Sequence, residues 1–311
     1  MSYGTGKYTY ELVDGWAKYP KHWSLLDIAG ITIDSRDRVY VFNRGTHPLI
    51  VFDQEGNLLT TWGEGLFKRP HGSCIGPDGS IYCTDDESHM VRKFTPEGEL
   101  VLTLGIENKP SDTGYVRKFD FFASLATITH GGPPFNRPTD VAISSSGEIY
   151  VSDGYGNARV HQFTSNGTLL RSWGQPGAAP GQFRLPHSIW VDKQDCVWVV
   201  DRENSRIQVF NVQGEFLNQW IDLIRPTDLF ISDDNIVYVC DLAQRVRIYT
   251  IDGKLMAQWG TEERDKDKAL FLAPHAIAMD SRGDLYVGEV AWTAYGINKG
   301  PRIIQKFVRK T

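Results

Sequence analysis

A pattern of short strands and turns recurs six times along the 311 residues of this chain. Each copy has a turn rich in Gly or Asp, an alternating strand that ends near Asp, a second strand, and a third that ends near Trp. One copy begins at Gly76 as GPDGSIYCTDDESHMVRKFTPEGELVLTLG, and another begins at Ser144 as SSSGEIYVSDGYGNARVHQFTSNGTLLRSWG. The aromatic residues that mark the first long strand of the copies are Tyr40, Tyr82, Tyr150, Trp198, Tyr238 and Tyr286.

This repeat predicts an all-β chain. A single four-stranded sheet cannot cover both of its faces, whereas six sheets stacked around an axis cover one another. We therefore predict one six-bladed β-propeller domain over residues 1–311. The last copy lacks its outermost strand, and we expect Tyr8–Val13 to supply that strand and close the ring. An α/β fold is excluded because no stretch has a helical period of sufficient length.

One interval between the aromatic residues is irregular. Tyr82 and Tyr150 are 68 residues apart, against 40 to 48 for the other intervals. The excess falls within residues 106–135, which we interpret as a loop inserted at one rim of the propeller. Long insertions of this kind are often functional, so the loop is expected beside a site. A structural flap that covers a blade edge would explain the length equally well.

Histidines follow the phase of the repeat. At the position five residues before the turn that opens each strand, copies two, four and six have histidine, and each histidine follows proline. Equivalent positions in a sixfold ring lie on one circle, so His71, His187 and His275 would converge on one point. Three neutral imidazoles with an open position are a typical ligand set for a catalytic divalent transition metal, such as zinc. The alternative is a structural turn that tolerates histidine.

Loops on the same rim offer groups for substrate binding and proton transfer. Arg44 has no carboxylate immediately beside it in VYVFNRG and could hold a substrate carboxylate, although an ion pair with an Asp of an adjacent blade remains open. Tyr155 lies between two glycines and is a candidate base, or else a packing aromatic at a turn. We also expect Arg202, Asp86 and His130 to bind substrate.

Composition restricts the partners. The formal net charge is −5, with 33 basic and 38 acidic residues, which disfavours a nucleic-acid binder that works by neutralising phosphates. No apolar run approaches the roughly 20 residues of a membrane span. The N-terminal sequence MSYGTGK shows no signal-peptide pattern, so we expect a cytoplasmic protein that binds a small-molecule substrate. Nothing in the sequence selects an oligomeric state.

Several motifs resemble a known family. The strings DGYGNARVHQF and DRENSRIQVF resemble the NHL repeat, and VFNRG, RPHG, VSDGYGNAR, GQFRLPHS and APHAIA resemble peptidyl-α-hydroxyglycine α-amidating lyase. The resemblance implies a propeller with zinc bound by His71, His187 and His275, and it implies that Arg44 and Tyr155 are catalytic. It also implies that a carbinolamide is split into an amide and an aldehyde.

The sequence departs from this family at two positions. The family holds a structural calcium partly through an Asp directly after the third histidine, where this chain has Ala276, so calcium is not expected. The family has a disulfide-forming Cys after the tyrosine, where this chain has Gly156. We therefore expect C–N lyase chemistry on a different small hydroxylated amide or amine, with zinc, iron or manganese. A metal-dependent hydrolase or lactonase and a non-enzymatic NHL interaction propeller are the alternatives.

Overall fold

The fold is that of a six-bladed β-propeller, as the repeat predicted. The computed structural model describes residues 2–263, 265 and 268–310. Within these residues the strands form six antiparallel sheets, of which five have four strands and one has five. The helices of the described residues have three to five residues each.

The strands follow one another with short turns between them. In chain order they are β1 (Ser2–Thr5), β2 (Tyr8–Val13), β3 (Ile28–Ile33), β4 (Val39–Asn43), β5 (Leu49–Phe52), β6 (Leu58–Trp62), β7 (Pro70–Ile75), β8 (Ile81–Asp85), β9 (Met90–Phe94), β10 (Leu100–Gly105), β11 (Pro138–Ile143), β12 (Ile149–Asp153), β13 (Arg159–Phe163), β14 (Leu169–Trp173), β15 (Pro186–Val191), β16 (Val197–Asp201), β17 (Arg206–Phe210), β18 (Phe216–Trp220), β19 (Pro226–Ile231), β20 (Ile236–Asp241), β21 (Arg245–Thr250), β22 (Leu255–Trp259), β23 (Pro274–Met279), β24 (Leu285–Glu289) and β25 (Ile304–Arg309). The helices are α1 (Phe121–Leu125), α2 (Ala291–Tyr295) and two 3-10 turns, Arg202–Asn204 and Gly300–Ile303.

Backbone contacts divide the chain into two compact units, a middle unit of Phe67–Pro226 and a terminal unit that comprises the remaining residues. The middle unit contains the sheets β7–β10, β11–β14 and β15–β18. The terminal unit contains β3–β6, nearly all of β19–β22 and the five-stranded sheet of order β1-β2-β25-β24-β23. In that last sheet β2 is antiparallel to β25, with Leu12 opposite Phe307.

The second strand of every sheet is buried along its whole length. A strand that is covered on both faces needs apolar residues at nearly every position, which explains runs such as IYVSD and VWVVD. The six aromatic residues that define the repeat are all at most 4% exposed. Burial of each such ring stabilises the fold by roughly 1.5–3 kcal/mol.

The histidine phase predicted from the sequence corresponds to one position in the fold. His71, His187 and His275 are each the second residue of the first strand of a sheet, directly after the proline that begins the strand. Thr139 and Thr227 occupy the same position in β11 and β19. All five side chains are buried.

The inserted residues 106–135 contain α1 and belong to the middle unit. A backbone hydrogen bond from Ser111 to Phe135 closes the base of the insertion. The carboxylate of Asp120 caps α1 by accepting a hydrogen bond from the amide of Ala123 at 2.7 Å. In the described residues no helix has the length and apolar character needed to cross a bilayer.

Candidate active site around Tyr155

The segments that precede the histidine strands are fixed by the acidic residues that end the neighbouring second strands. The carboxylate of Asp85 accepts hydrogen bonds from the amides of Lys68 and Arg69 at 2.8 and 3.0 Å. Asp201 accepts from the amides of Arg184 and Leu185 at 2.9 and 3.1 Å. Buried charge-assisted hydrogen bonds of this kind hold the chain rigidly, so the proline and histidine that follow have a defined position.

In the middle unit, Tyr155 lies against two of the predicted metal ligands. Its phenol oxygen is 3.1 Å from Nε2 of His71 and 3.2 Å from Nε2 of His187. The two imidazole rings are 4.8 Å apart between centroids. All three side chains are buried, so the structure brings together three residues that the sequence singled out from three different blades.

The hydrogen bonds on the far side of the rings fix their protonation. Nδ1 of His71 is 2.5 Å from the carbonyl oxygen of Thr139, and Nδ1 of His275 is 3.0 Å from the carbonyl oxygen of Ala29. A carbonyl oxygen only accepts, so Nδ1 carries the proton in both rings, and Nε2 of a neutral ring is then the acceptor nitrogen. This is the arrangement of metal-ligating histidines, and it is present at His71 in the middle unit and at His275 in the terminal unit.

Three arginines surround the ring of Tyr155. The guanidinium carbons of Arg137, Arg69 and Arg202 lie 5.3, 5.5 and 5.6 Å from the ring centroid. Arg202 also donates a hydrogen bond of 3.4 Å to the phenol oxygen. Cations over the ring and at the oxygen stabilise negative charge on this side chain.

Buried carboxylates hold the arginines in place. Asp86 accepts from Arg69 at 2.7 Å and from Arg137 at 2.6 Å. Glu203 pairs with Arg202 at 2.8 Å. Burial alone would lower the pKa of Arg69 and Arg202, but the charges of Asp86 on the first, Glu203 on the second and Tyr155 on both outweigh it and raise the pKa of both guanidinium groups.

Arg44 belongs to the terminal unit and has partners there. Its Nη1 lies 3.6 Å from the carboxylate of Asp27 and donates to Thr293 Oγ1 at 3.1 Å. Asp27 also accepts hydrogen bonds from the backbone amides of Trp292 and Thr293 at the start of α2. Arg44 therefore pairs with Asp27, which directly precedes β3 of its own blade and is not an Asp of an adjacent blade.

His130 and Asp86, which the sequence predicted to bind substrate, contact residues other than Tyr155. His130 is on the exposed part of the insertion, with its Nδ1 3.0 Å from Thr129 Oγ1 and its Nε2 3.9 Å from Asp112. Asp86 contacts arginines that flank Tyr155, so it positions cations around the phenol. Ala276 is buried in the core of the terminal unit.

The glycine that follows Tyr155 is required by close packing. A Cβ at Gly156 would lie 2.2 Å from Oδ1 and 2.8 Å from the backbone oxygen of Asn136. The Asn136 side-chain amide is held in turn by hydrogen bonds that it donates to the carbonyl oxygen of Ser111 and to Oγ1 of Thr113. A cysteine at position 156 would therefore require the backbone to move.

Sequence reasoning missed Arg69, Arg137 and Phe121. The signal for the two arginines was in the sequence, since Arg precedes the proline in RPHG, RPTDVAIS and RPTDLFIS. Phe121, from the insertion, lies with its ring 6.1 Å from that of Tyr155. An aromatic run in an insertion next to a candidate base was the available hint.

Comparisons with known proteins agree with the repeat and the motifs. A family model of the NHL repeat matches residues 135–163 and 183–210. The chain is 32% identical over 225 residues to peptidyl-glycine alpha-amidating monooxygenase B of Xenopus laevis. This alignment covers 62% of this chain and 24% of that protein. It is 27% identical over 284 residues to peptidyl-alpha-hydroxyglycine alpha-amidating lyase 1 of Drosophila melanogaster, covering 82% and 47%.

A further relative matches almost end to end. NHL repeat-containing protein 3 of Homo sapiens is 27% identical over an alignment of 329 residues, covering 99% of this chain and 86% of that protein. By contrast, the chain spans about a quarter of the amidating monooxygenase and about half of the fly lyase.

Solved structures share the architecture. A gluconolactonase of Xanthomonas campestris has a TM-score of 0.66 at 10% identity, covering 99% of this chain and 95% of that one. A streptogramin B lyase has a TM-score of 0.60 at 14% identity, covering 97% and 88%. At these identities the likeness concerns the fold. Sheet topology, repeat match and relatives together show a β-propeller with NHL repeats that is similar to α-amidating lyases and to NHL repeat-containing proteins.

Proposed function

We propose that this protein is a metal-dependent lyase that cleaves the C–N bond of a small carbinolamide and releases an amide and an aldehyde. The observation that carries the proposal is the Tyr155 phenol, which lies within 3.2 Å of Nε2 of both His71 and His187. Support for His275 as the third ligand comes from the phase of the repeat and from its Nδ1, which lies against a backbone carbonyl oxygen as that of His71 does.

A divalent metal bound by these histidines would supply Lewis acidity to the hydroxyl oxygen of the substrate. The oxygen of Tyr155 acts as the base and takes the hydroxyl proton as the carbon–oxygen double bond forms and the C–N bond breaks. The same oxygen then returns the proton to the departing amide nitrogen, so the side chain ends in its starting state.

Arg202 and Arg44 have separate roles in this scheme. Arg202 donates to the phenol oxygen and stabilises its negative charge, while Arg69 and Arg137 lie over the ring. Arg44 retains the role predicted from the sequence, which is to hold a carboxylate of the substrate in a bidentate pair. Asp27, at 3.6 Å, orients the Arg44 guanidinium for that contact.

The substrate is proposed to differ from the peptides named in the relatives, since Gly156 and Ala276 depart from the lyase pattern and an insertion contacts Tyr155. A small hydroxylated amide that carries a carboxylate has a group for each side chain, since its hydroxyl gives a proton to Tyr155 and its carboxylate pairs with Arg44.

The test is aldehyde release from a panel of N-acyl-α-hydroxyglycines by the purified protein with zinc, iron or manganese. We expect turnover that Tyr155→Phe slows by about 10²–10⁴-fold. Tyr82→Phe is the matched control, because Tyr82 is a buried tyrosine of blade two, and it should retain the rate. Turnover of lactones and none of the carbinolamides would identify a hydrolase, and no turnover by a metal-loaded protein would favour an interaction propeller.

A further inference from the structure

The insertion brings two phenylalanines onto the ion pairs around Tyr155. The ring of Phe121 lies 5.5 Å from the guanidinium carbon of Arg202, and Phe122 lies 5.5 Å from that of Arg225. Both arginines pair with Glu203 at 2.8 Å. Helix α1 therefore covers the charged groups that orient the phenol, and Phe121 also meets the phenol ring edge to face.

Local hydrogen bonds hold α1 in this position. The hydroxyl of Ser124 donates to the carbonyl of Asp120 at 2.9 Å and accepts from the amide of Lys118 at 2.8 Å. The hydroxyl of Thr127 accepts from the amide of Val116 at 2.7 Å. These bonds tie the helix to both flanks of the insertion, so the aromatic rings are presented from a fixed element.

A cavity lies next to the same helix. It has a volume of about 390 Å³ and is lined by Leu125 and Ile128 of the insertion together with Ala158, Ala178 and Phe183, with Arg184 among its few polar neighbours. Leu125 and Ile128 also pack against Tyr155 in one apolar cluster. The cavity therefore begins one side chain away from the phenol.

We propose that Phe121 and this cavity form a substrate subsite for an aromatic or branched apolar acyl group on the carbinolamide nitrogen. This inference rests on the proposed function, because it places the reacting carbon at Tyr155. The volume lies within the range of about 300–1,000 Å³ that is typical of small-molecule sites, and mostly apolar walls with few polar groups are the usual composition. The contacts of Phe121 place an apolar surface at the reacting end of this subsite.

Equilibrium binding tests the subsite without turnover. Calorimetry with N-benzoylglycine and N-acetylglycine, which lack the reacting hydroxyl, measures the preference for an aryl group. We expect the benzoyl compound to bind at least about tenfold more tightly, because its ring leaves water. Two variants, Phe121→Ala and Ala178→Trp, should each bring this ratio close to one, the first by removing the apolar ring beside Tyr155 and the second by filling the cavity.

Matched controls separate the subsite from general disturbance. Phe119→Ala removes an exposed ring of the same segment, and Ala179→Trp adds an indole at the neighbouring exposed position, which does not line the cavity. Both should keep the ratio. Equal affinity for the two compounds, or a ratio unchanged in both test variants, would overturn the subsite. The expected affinity ratios in the test and control variants, found in a protein that turns over no carbinolamide, would support the subsite and reject the proposed reaction.

Discussion

The pair of salt bridges at Asp86 gives the sharpest stability prediction. Its carboxylate is fully buried and lies 2.7 Å from Arg69 and 2.6 Å from Arg137, beside Tyr155. The substitution Asp86→Asn preserves the shape of the side chain and removes its charge. Two guanidinium groups with little exposure then lose their main counter-charge.

The size of the effect follows from burial. Removal of one partner from a buried ion pair costs about 3–5 kcal/mol, because a desolvated charge is left uncompensated. Arg69 is 24% exposed, and Arg137 keeps a second carboxylate, Glu87, at 2.9 Å. These two features reduce the penalty, so we expect the free energy of unfolding to fall by about 3 kcal/mol.

A surface pair of similar length is the control. Asp78 lies 2.7 Å from Lys93 but is 53% exposed, so Asp78→Asn should cost at most about 1 kcal/mol. Urea unfolding of the three proteins at pH 7 measures both changes. If Asp86→Asn costs no more than Asp78→Asn, then Asp86 does not hold the arginines and the account of the cluster is wrong.

Three further predictions concern the same region. Tyr155→Phe should retain metal while aldehyde release falls, and parallel loss of metal would refute a purely chemical role. Burial disfavours the charged form of Glu203, but the hydrogen bonds and charges of Arg225 and Arg202 together outweigh burial and lower the pKa of Glu203 from its ordinary value of 4.5. The difference in unfolding free energy between the unaltered protein and Glu203→Gln, measured in urea, should therefore be largest above pH 4.5. It should shrink as the pH falls through the lowered pKa of Glu203 in the folded state, and a difference that widens would contradict this. Gly156→Ala, which presses on Asn136, should lower the unfolding free energy by about 1–3 kcal/mol; no loss in urea unfolding would refute the packing argument.

The blades and the phase of the histidines could be predicted from the sequence because both are properties of a repeat. Strand periodicity and turn residues are local signals, and equivalent positions in repeats are equivalent in the fold. Thus the proline before His71, His187 and His275 marks the first residue of a strand in each case. The strand over Tyr8–Val13 was likewise visible from its alternation.

The repeated Arg-Pro pairs mark the arginines in the sequence, but the direction of each guanidinium could not be predicted, because side-chain direction depends on the backbone of individual residues. Arg137 precedes a proline and has a φ of 68°, in the left-handed region, and this conformation gives its guanidinium contact with Asp86 and Tyr155. The arginine partners of Asp86 lie 17 and 51 positions away in sequence, so no local pattern shows them. The insertion was visible by length, whereas α1 has five residues, too few for a periodic signal.

Metal content tests the central claim most directly. Protein purified without added metal should contain about one transition-metal ion per chain by elemental analysis. The variant His71→Ala should lose that ion, whereas His22→Ala, at an exposed position, should keep it. An absence of metal in the unaltered protein, with no rise in thermal midpoint on addition of zinc, iron or manganese, would contradict a metal centre at the three histidines.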